Sequence, residues 1–240
     1  IIVNQTPRAR FNMSPATGCS PLTVNFTNTS ANTSGATYSW NFGNGNTAST
    51  ANASSLYPDS GTFAVTLLVT NGNGCSDDSV RNVVVKLSPT ASATTNDTTG
   101  CNPYTSTFVN NSINATSYNW NFGDGGTSTQ ANPTHTYPGT GNFTVTLIAT
   151  NTAGCRDTFV FNNTIQVNQT PLATFTASAV TGCAPLNVNF TNTSTVTSGA
   201  TYFWDFGDLT NTTTMNATHT YTLPGVYTVN LSVTNLNGTA

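Results

Sequence analysis

Charged side chains are scarce in this chain: Asp, Glu, Lys and Arg together make up 5% of its 240 residues, against about 25% in an ordinary soluble protein. The five basic residues stand singly, and the formal net charge is −3. Nucleic acids and anionic membrane surfaces are held by clustered positive charge, so neither is expected as a partner. Long apolar runs are missing as well. No stretch approaches the ~18 residues of a membrane-spanning helix, and no membrane insertion is expected. Ile1-Ile2-Val3 is too short to be the apolar centre of a signal peptide, so the chain reads as an internal piece of something longer. Catalysis needs acids, bases or nucleophiles that converge on one point. Eight carboxylates scattered along the chain do not supply that, and neither an enzyme activity nor a cofactor is expected.

Hydroxyls and amides fill the place of charge: 50 Thr, 33 Asn and 21 Ser. They are distributed in a repeat. Pro7, Pro89 and Pro171 are 82 residues apart, as are Cys19, Cys101 and Cys183; Trp40, Trp120 and Trp204 are spaced by 80 and 84. Constant periods at the repeat starts with small shifts inside place the insertions in loops. A period of this length is longer than the ~20–50 residues of a solenoid unit, so each repeat is expected to own a core. The resulting division is 1–7 as the end of the last strand of a preceding repeat, then repeats at 8–88, 89–170 and 171–240, the third lacking its last strand. Short junctions marked by proline (Leu87-Ser88-Pro89, Gln169-Thr170-Pro171) join them.

Within each repeat apolar residues alternate with polar ones at a period of two, the pattern of half-buried strands. Leu22, Val24 and Phe26 alternate with Thr23, Asn25 and Thr27, and Phe63, Val65, Leu67 and Val69 do the same, as do Tyr227, Val229, Leu231 and Val233. Gly- and Asn-rich turns such as 43–45 and 71–74 separate the runs. One apolar face per strand is what two packed antiparallel sheets require. No helical period is present. The fold class is all-β: tandem sandwiches in an extended array.

Cysteines recur in register. Cys19 and Cys75 bracket repeat one as Cys101 and Cys155 bracket repeat two, which predicts disulfides Cys19–Cys75 and Cys101–Cys155, each stabilising by roughly 4 kcal/mol on the chain-entropy view. Disulfides place the protein in an oxidising, extracellular compartment. Cys183 has no counterpart, because Thr239 stands where the second cysteine would fall; its partner is expected beyond the chain or not at all. No Cys-x-x-Cys or neighbouring His supports a metal site.

Trp40-Asn41-Phe42-Gly43-Asn44-Gly45, Trp120-Asn121-Phe122-Gly123-Asp124-Gly125 and Trp204-Asp205-Phe206-Gly207-Asp208 resemble the W-[DN]-F-G-D-G signature of PKD domains. His135-Thr136-Tyr137 and His219-Thr220-Tyr221, each followed by Gly-x-[FY]-x-V-x-L, resemble the second signature of that family. Asn44, Leu209 and Ser55-Leu56-Tyr57 depart from it. The resemblance covers nearly the whole chain and implies a seven-stranded immunoglobulin-like sandwich in each repeat. It also implies a place in large extracellular or cell-surface proteins of prokaryotes.

Several residues invite a functional reading. Asp124 and Asp208 give one carboxylate per turn, far from the ~6–8 oxygens that calcium takes, so they are read as turn-capping side chains. His135 and His219 have no third ligand beside them and are read as structural. Trp40, Trp120 and Trp204 share strand parity with Phe42, Phe122 and Phe206, so they are read as core rather than as sugar platforms, with Tyr57, Tyr137 and Tyr221 completing the signature. Asn-x-Ser/Thr occurs 18 times, against about 10 expected by chance in this composition. The glycosylation candidates are Asn25, Asn28, Asn114, Asn142, Asn189, Asn192 and Asn230. Leu68 and Ile148 interrupt an outer polar face and are candidates for packing against a neighbouring repeat. These residues point to a non-catalytic, glycosylated structural repeat of an extracellular fibre, stalk or adhesin, whose partners are copies of itself or adjoining repeats. The alternative is a carbohydrate- or protein-binding module of a larger secreted protein.

Overall fold

The structure of the protein, a computed structural model, describes residues 1–162, 165–195 and 199–235. All regular elements among these residues are strands. The chain divides into two compact units. One comprises residues 1–92 with 111–119 and 147–159, the other residues 93–110, 120–146 and 160–240.

The first unit contains the sandwich of repeat one. One sheet runs Phe11–Ser14, Leu22–Asn28, Ala53–Tyr57 in spatial order; the other runs Thr17–Cys19, Ser76–Lys86, Gly61–Thr70, Thr37–Asn41, Thr47–Ala48. Thr17–Cys19 lies parallel to the end of Ser76–Lys86, with Cys19 opposite Lys86, and every other pairing in the two sheets is antiparallel. The alternation in the sequence becomes the two faces. Val24, Phe26, Trp40, Val65, Leu67, Val69, Val83 and Val85 form one buried cluster with Phe11, Phe42 and Tyr57. Phe11 meets Trp40 edge-on at 5.1 Å between ring centroids, and Phe26 lies 5.6 Å from the same ring. Phe42 stacks on Phe26 at 5.1 Å.

Several of the few charges serve the backbone. Asp77 accepts the Ala9 N–H at 2.8 Å, Asp157 accepts the Ala91 N–H at 2.8 Å, and an Arg81 guanidinium nitrogen donates to the Phe11 carbonyl at 2.9 Å.

In the second unit, Ala93–Thr95, Tyr104–Asn110 and Thr134–Tyr137 form one antiparallel sheet, and Ile165–Asn168 runs between Thr99–Cys101 and Gly141–Phe143. Repeat three contributes the sheets Phe175–Ala177, Leu186–Asn192, Ala217–Tyr221 and Asn211–Thr212, Thr201–Asp205, Asn230–Thr234. Its core repeats that of the first, with Phe175 5.1 Å and Phe190 5.7 Å from Trp204. Repeat two solves the same packing differently. Ala93 stands in the place of Phe11 and Phe175, and Phe161 enters the core at 5.8 Å from Phe108 and 6.5 Å from Trp120. Interiors are close-packed, so a ring deleted at one position is restored from another. Leu68 is exposed on its strand and Ile148 half-buried.

Candidate functional site at the signature turns and repeat junctions

The signature residues form one structural device per repeat. Trp40, Trp120 and Trp204 are fully buried, and each indole N–H donates to a backbone carbonyl, of Thr50 at 2.9 Å, Gln130 at 3.0 Å and Thr214 at 2.9 Å. A buried indole needs such an acceptor. The phenols of Tyr57, Tyr137 and Tyr221 donate to the carbonyls of Phe42, Phe122 and Phe206 at 3.1, 3.2 and 3.1 Å, tying the strand after the turn to the turn itself. Burial pushes the Tyr57 hydroxyl up to about 12 and raises Tyr137 and Tyr221 above the usual phenol range.

The turns themselves carry a coupled pair. Asp124 accepts the Gly126 N–H at 2.9 Å through Oδ1 and His135 Nε2–H at 2.7 Å through Oδ2. The imidazole stacks on Phe122 at 4.1 Å and meets Tyr137 edge-on at 4.6 Å. Repeat three has the same arrangement: Asp208 takes the Thr210 N–H and hydroxyl through Oδ1 and His219 Nε2–H at 2.7 Å through Oδ2, with His219 stacked 4.3 Å from Phe206. A carboxylate only accepts, so in both repeats the proton at Nε2 is the donor. Repeat one exchanges both partners. Asn44 keeps its turn-capping oxygen, accepting the Asn46 N–H at 3.1 Å, and its amide N–H groups donate to the Ser55 hydroxyl at 3.1 Å and the Leu56 carbonyl at 2.9 Å. An amide brings its own donor, so no histidine is required opposite it. Among the described residues no three His, Cys, Asp or Glu side chains gather into a group able to hold a metal.

This pair sets an acid dependence. Burial raises the Asp124 carboxyl, but the bonds from His135 and the Gly126 N–H outweigh it, leaving Asp124 below the ordinary carboxylate range. The Thr210 hydroxyl is the largest influence holding Asp208 down. A carboxyl lowered by folding contributes stability above the unfolded carboxylate range and loses it as pH falls through the folded value. Replacing Asp124→Asn with His135→Ser, the pair repeat one uses, is therefore expected to cut the loss of stability in repeat two below about pH 4. Urea titrations of both proteins between neutral and strongly acidic pH check it; parallel acid profiles would refute the assignment.

The junctions carry the second recurring device. Asn71, at the start of the turn before Ser76–Lys86, donates from its amide to the Gln5 carbonyl at 2.8 Å, while its oxygen accepts the Asn73 and Cys75 N–H groups at 3.1 Å. Asn151 reaches the Leu87 carbonyl at 2.7 Å and accepts the Cys155 N–H at 3.0 Å. Asn235 reaches the Gln169 carbonyl at 3.2 Å and donates to Cys101 Sγ at 3.0 Å. One asparagine per repeat thus holds the chain where it enters that repeat. At the junction between repeats one and two Lys86 also donates to the Ala153 carbonyl at 3.3 Å.

Here the structure corrects the cysteine pairing. Cys19 is bonded to Cys155, 136 positions further along the sequence, with Cα atoms 5.7 Å apart. Cys19–Cys75 does not form because Cys19 lies opposite Lys86, at the far end of the strand that begins just after Cys75. About eleven residues at ~3.3 Å separate them, some 35 Å, against the ~4.4–6.8 Å between Cα atoms that a disulfide spans. Cys101–Cys155 is excluded because Cys155 is already bonded. Cys75 and Cys183 carry free thiols. Thr239 lies outside the described residues.

The glycosylation candidates separate by geometry. Asn25, Asn114, Asn142, Asn189 and Asn230 are exposed. Asn28 and Asn192 are half-buried, each accepting the N–H of the serine two residues on, and the Asn192 amide nitrogen, the atom that would carry a sugar, is enclosed. Asn192 is therefore a poor acceptor despite its motif.

A model of the PKD domain family matches residues 4–87, 86–167 and 168–240. The chain belongs to the PKD domain family. Thirty-eight of its residues are 58% identical to collagenase ColA of Bacillus cereus, a stretch covering 16% of this chain and 4% of that protein. Among solved structures it is similar to the PKD1 domain of Vibrio anguillarum Epp, at 30% identity over 35% of this chain and 99% of that one, with a TM-score of 0.31. The PKD1 domain of the Vibrio cholerae metalloprotease PrtV is 33% identical over 34% of this chain and 99% of that one, with a TM-score of 0.30. PKD domains are generally non-catalytic modules that also occur within enzymes, so the chain is a tandem of such modules. No helix among its described residues is long and apolar enough to cross a membrane.

Proposed function

We propose that this PKD tandem is a structural spacer of an extracellular surface protein, a segment of a stalk or fibre whose repeats are fixed to one another at their junctions. The Cys19–Cys155 bond between consecutive repeats carries the reading. A disulfide inside one repeat stabilises that repeat alone; one between repeats limits how they swing. The asparagine-to-carbonyl bond recurring at Gln5, Leu87 and Gln169 supports it, as does an oxidising location for a chain with such a bond. Sugars on Asn25, Asn114, Asn142, Asn189 or Asn230 would sheathe a surface that has little charge to keep it apart from its neighbours.

Small-angle scattering on the dilute protein with the Cys19–Cys155 bond intact tests the reading. Repeats of about 36 Å, from eleven-residue strands at ~3.3 Å each, set in line give a radius of gyration near 30 Å, against about 18 Å for a compact chain of this length. The compact value would overturn it. The similarity to a collagenase segment favours a second reading, an accessory module that positions a larger enzyme on its substrate. Retention of the isolated chain on immobilised collagen would support that one.

A further inference from the structure

The outer face of the larger sheet in repeat one carries an apolar stripe that the fold does not use. Where Gly61–Thr70 pairs with Ser76–Lys86, Thr62 lies opposite Val84, Ala64 opposite Asn82, Thr66 opposite Val80 and Leu68 opposite Asp78. These residues alternate with the buried Val65, Leu67, Val83 and Val85, so they point away from the core. Val84, Ala64, Val80 and Leu68 follow one another along the diagonals of this ladder, each within about 7–8 Å of the next. All four are exposed, Val80 at 54%.

One place in the stripe keeps a large apolar side chain in every repeat. Ile148 stands for Leu68 in repeat two, and Val160 for Val80. In repeat three Ser232 takes the Leu68 position, and the strand opposite restores the apolar group. Phe203, where repeat one has Ser39, is paired with Ser232 as Ser39 is with Leu68, and it is exposed. A side chain lost from one strand and regained from its neighbour marks a requirement of the surface, because the core gains nothing from it. Val160 belongs to a repeat that follows another, and it is 48% exposed.

The two outer faces of repeat one differ in kind. The smaller sheet presents Asn12 and Asn25, both exposed and each opening an Asn-x-Ser/Thr motif. On the larger sheet no residue of the stripe, nor of Thr37–Asn41 beside it, opens such a motif. Sugars on the first face would leave the second bare. Asn142 and Asn230 stand on the corresponding face of the other two repeats, so repeat one offers the barest surface.

We propose that this stripe is a lateral contact between copies of the chain, repeat one of one copy lying against repeat one of a second with their strands antiparallel. Its composition selects a like partner. Apart from Asp78 the stripe and the residues opposite it are neutral, so two copies meet with almost no charge to desolvate. Asp78 sits at one end, opposite Leu68. A two-fold axis through the middle of the stripe sets Leu68 against the second copy's Val84 and holds the two Asp78 carboxylates about 20 Å apart, six residues at ~3.3 Å each. A parallel arrangement would bring them together. Three strands at ~4.8 Å and ten residues at ~3.3 Å give the face roughly 450–500 Å², short of the ~800 Å² per partner of a stable complex. The pair is therefore weak, and forms where copies are already held side by side. The proposal rests on the reading of the tandem as a spacer and adds what holds neighbouring spacers together.

Sedimentation equilibrium of the full chain tests the contact, with the Cys19–Cys155 bond intact and the thiols capped with iodoacetamide. Between ~20 μM and ~2 mM, the range that suits an interface this small, the mass is expected to rise from monomer toward dimer. Val80→Lys is expected to weaken the association about tenfold or more. Leu56→Lys, at a leucine 51% exposed on the other outer face, is expected to leave it unchanged. Urea midpoints show whether each variant is folded; if Val80→Lys is not, contacts between methyl groups decide. In an equal mixture of isotope-labelled and unlabelled chain, nuclear Overhauser effects are expected between Leu68 of one copy and Val84 of the other. A monomer at every concentration would overturn the proposal. So would equal losses in the two variants, an association indifferent to Val80→Lys, or Leu68–Leu68 contacts in place of Leu68–Val84. Scattering from dilute monomer reads elongation whichever result is obtained, so the spacer reading stands or falls separately.

Discussion

Reducing the Cys19–Cys155 bond is expected to lengthen the chain's full extension under force by roughly 450–490 Å, in one release. Pulled by its ends with the bond intact, the chain transmits tension from Cys19 directly to Cys155, and the loop between them, a sequence separation of 136, stays out of the load path. Each residue set free adds ~3.3–3.6 Å. Bonds confined to single repeats, Cys19–Cys75 and Cys101–Cys155, would instead hide about 360–400 Å in two separate loops. Single-molecule force extension with and without reductant distinguishes the two arrangements, and a release of the smaller size would refute the pairing. The bond also restricts the unfolded chain. For a loop this long the chain-entropy relation gives about 5 kcal/mol, so Cys19→Ser and Cys155→Ser should each lower the unfolding midpoint steeply, whereas Cys75→Ser should leave it where it is.

The second large effect lies in the signature turn of repeat two, where two glycines two residues apart respond differently to a methyl group. Gly123 has φ +86°, and a Cβ there would sit 2.7 Å from the Thr144 carbonyl oxygen and 2.9 Å from its nitrogen. Gly125 has φ +96° with open space around it. Alanine at Gly125 bears only the left-handed backbone, about 1–2 kcal/mol. Alanine at Gly123 bears that and must also displace the backbone at Thr144, between the strands Gly141–Phe143 and Thr146–Thr150, for a total of roughly 3–5 kcal/mol. The converse change sits in repeat three, where Leu209 occupies the Gly125 position at φ +74° and is fully exposed. Leu209→Gly should raise stability by about 0.5–1 kcal/mol, the strain relieved less the added freedom of glycine in the unfolded chain. Urea denaturation followed by tryptophan fluorescence reads all three. Equal losses for the two alanine variants would show that the Thr144 contact is not what fixes Gly123.

The sandwich was readable from the sequence because a period of two with turn residues between runs leaves one geometry open to the chain. The signature tryptophans and tyrosines were equally plain. What periodicity could not decide was which copies of a repeated feature meet. Cys19 and Cys75 recur as Cys101 and Cys155, and equal spacing is satisfied as well by a bond to the next repeat as by one within the same repeat. The deciding fact was the length of the strand between Cys75 and Lys86, which puts the two cysteines of repeat one at opposite ends of the sheet. The exchange of Asp and His for Asn and Ser was visible as two separate departures from the signature. Its meaning as one compensated swap needed the 2.7 Å contact between side chains eleven residues apart. The entry of Phe161 opposite the Ala93 position left no periodic mark, because packing alone called it inward. The enclosed amide of Asn192 is likewise a matter of local burial that no sequence motif encodes.

The scarce charges have a wider consequence. Asp77, Asp157, Arg81 and Lys86 are each bonded to a backbone group, and Asp124 and Asp208 to histidines. Arg8, Arg10, Asp59, Asp78, Asp97 and Arg156 are exposed, but with charge at 5% of the residues what faces water is chiefly hydroxyl and amide, whose hydration does not depend on a counterion atmosphere. Salt weakens attraction and repulsion between exposed charges within a Debye length of ~8 Å at physiological ionic strength and ~3 Å at 1 M. A surface with few free charges gives it little to act on. The chain is therefore expected to behave alike in fresh water and in brine, since the Cys19–Cys155 bond and the asparagine bonds to the carbonyls of Gln5, Leu87 and Gln169 involve no free charge.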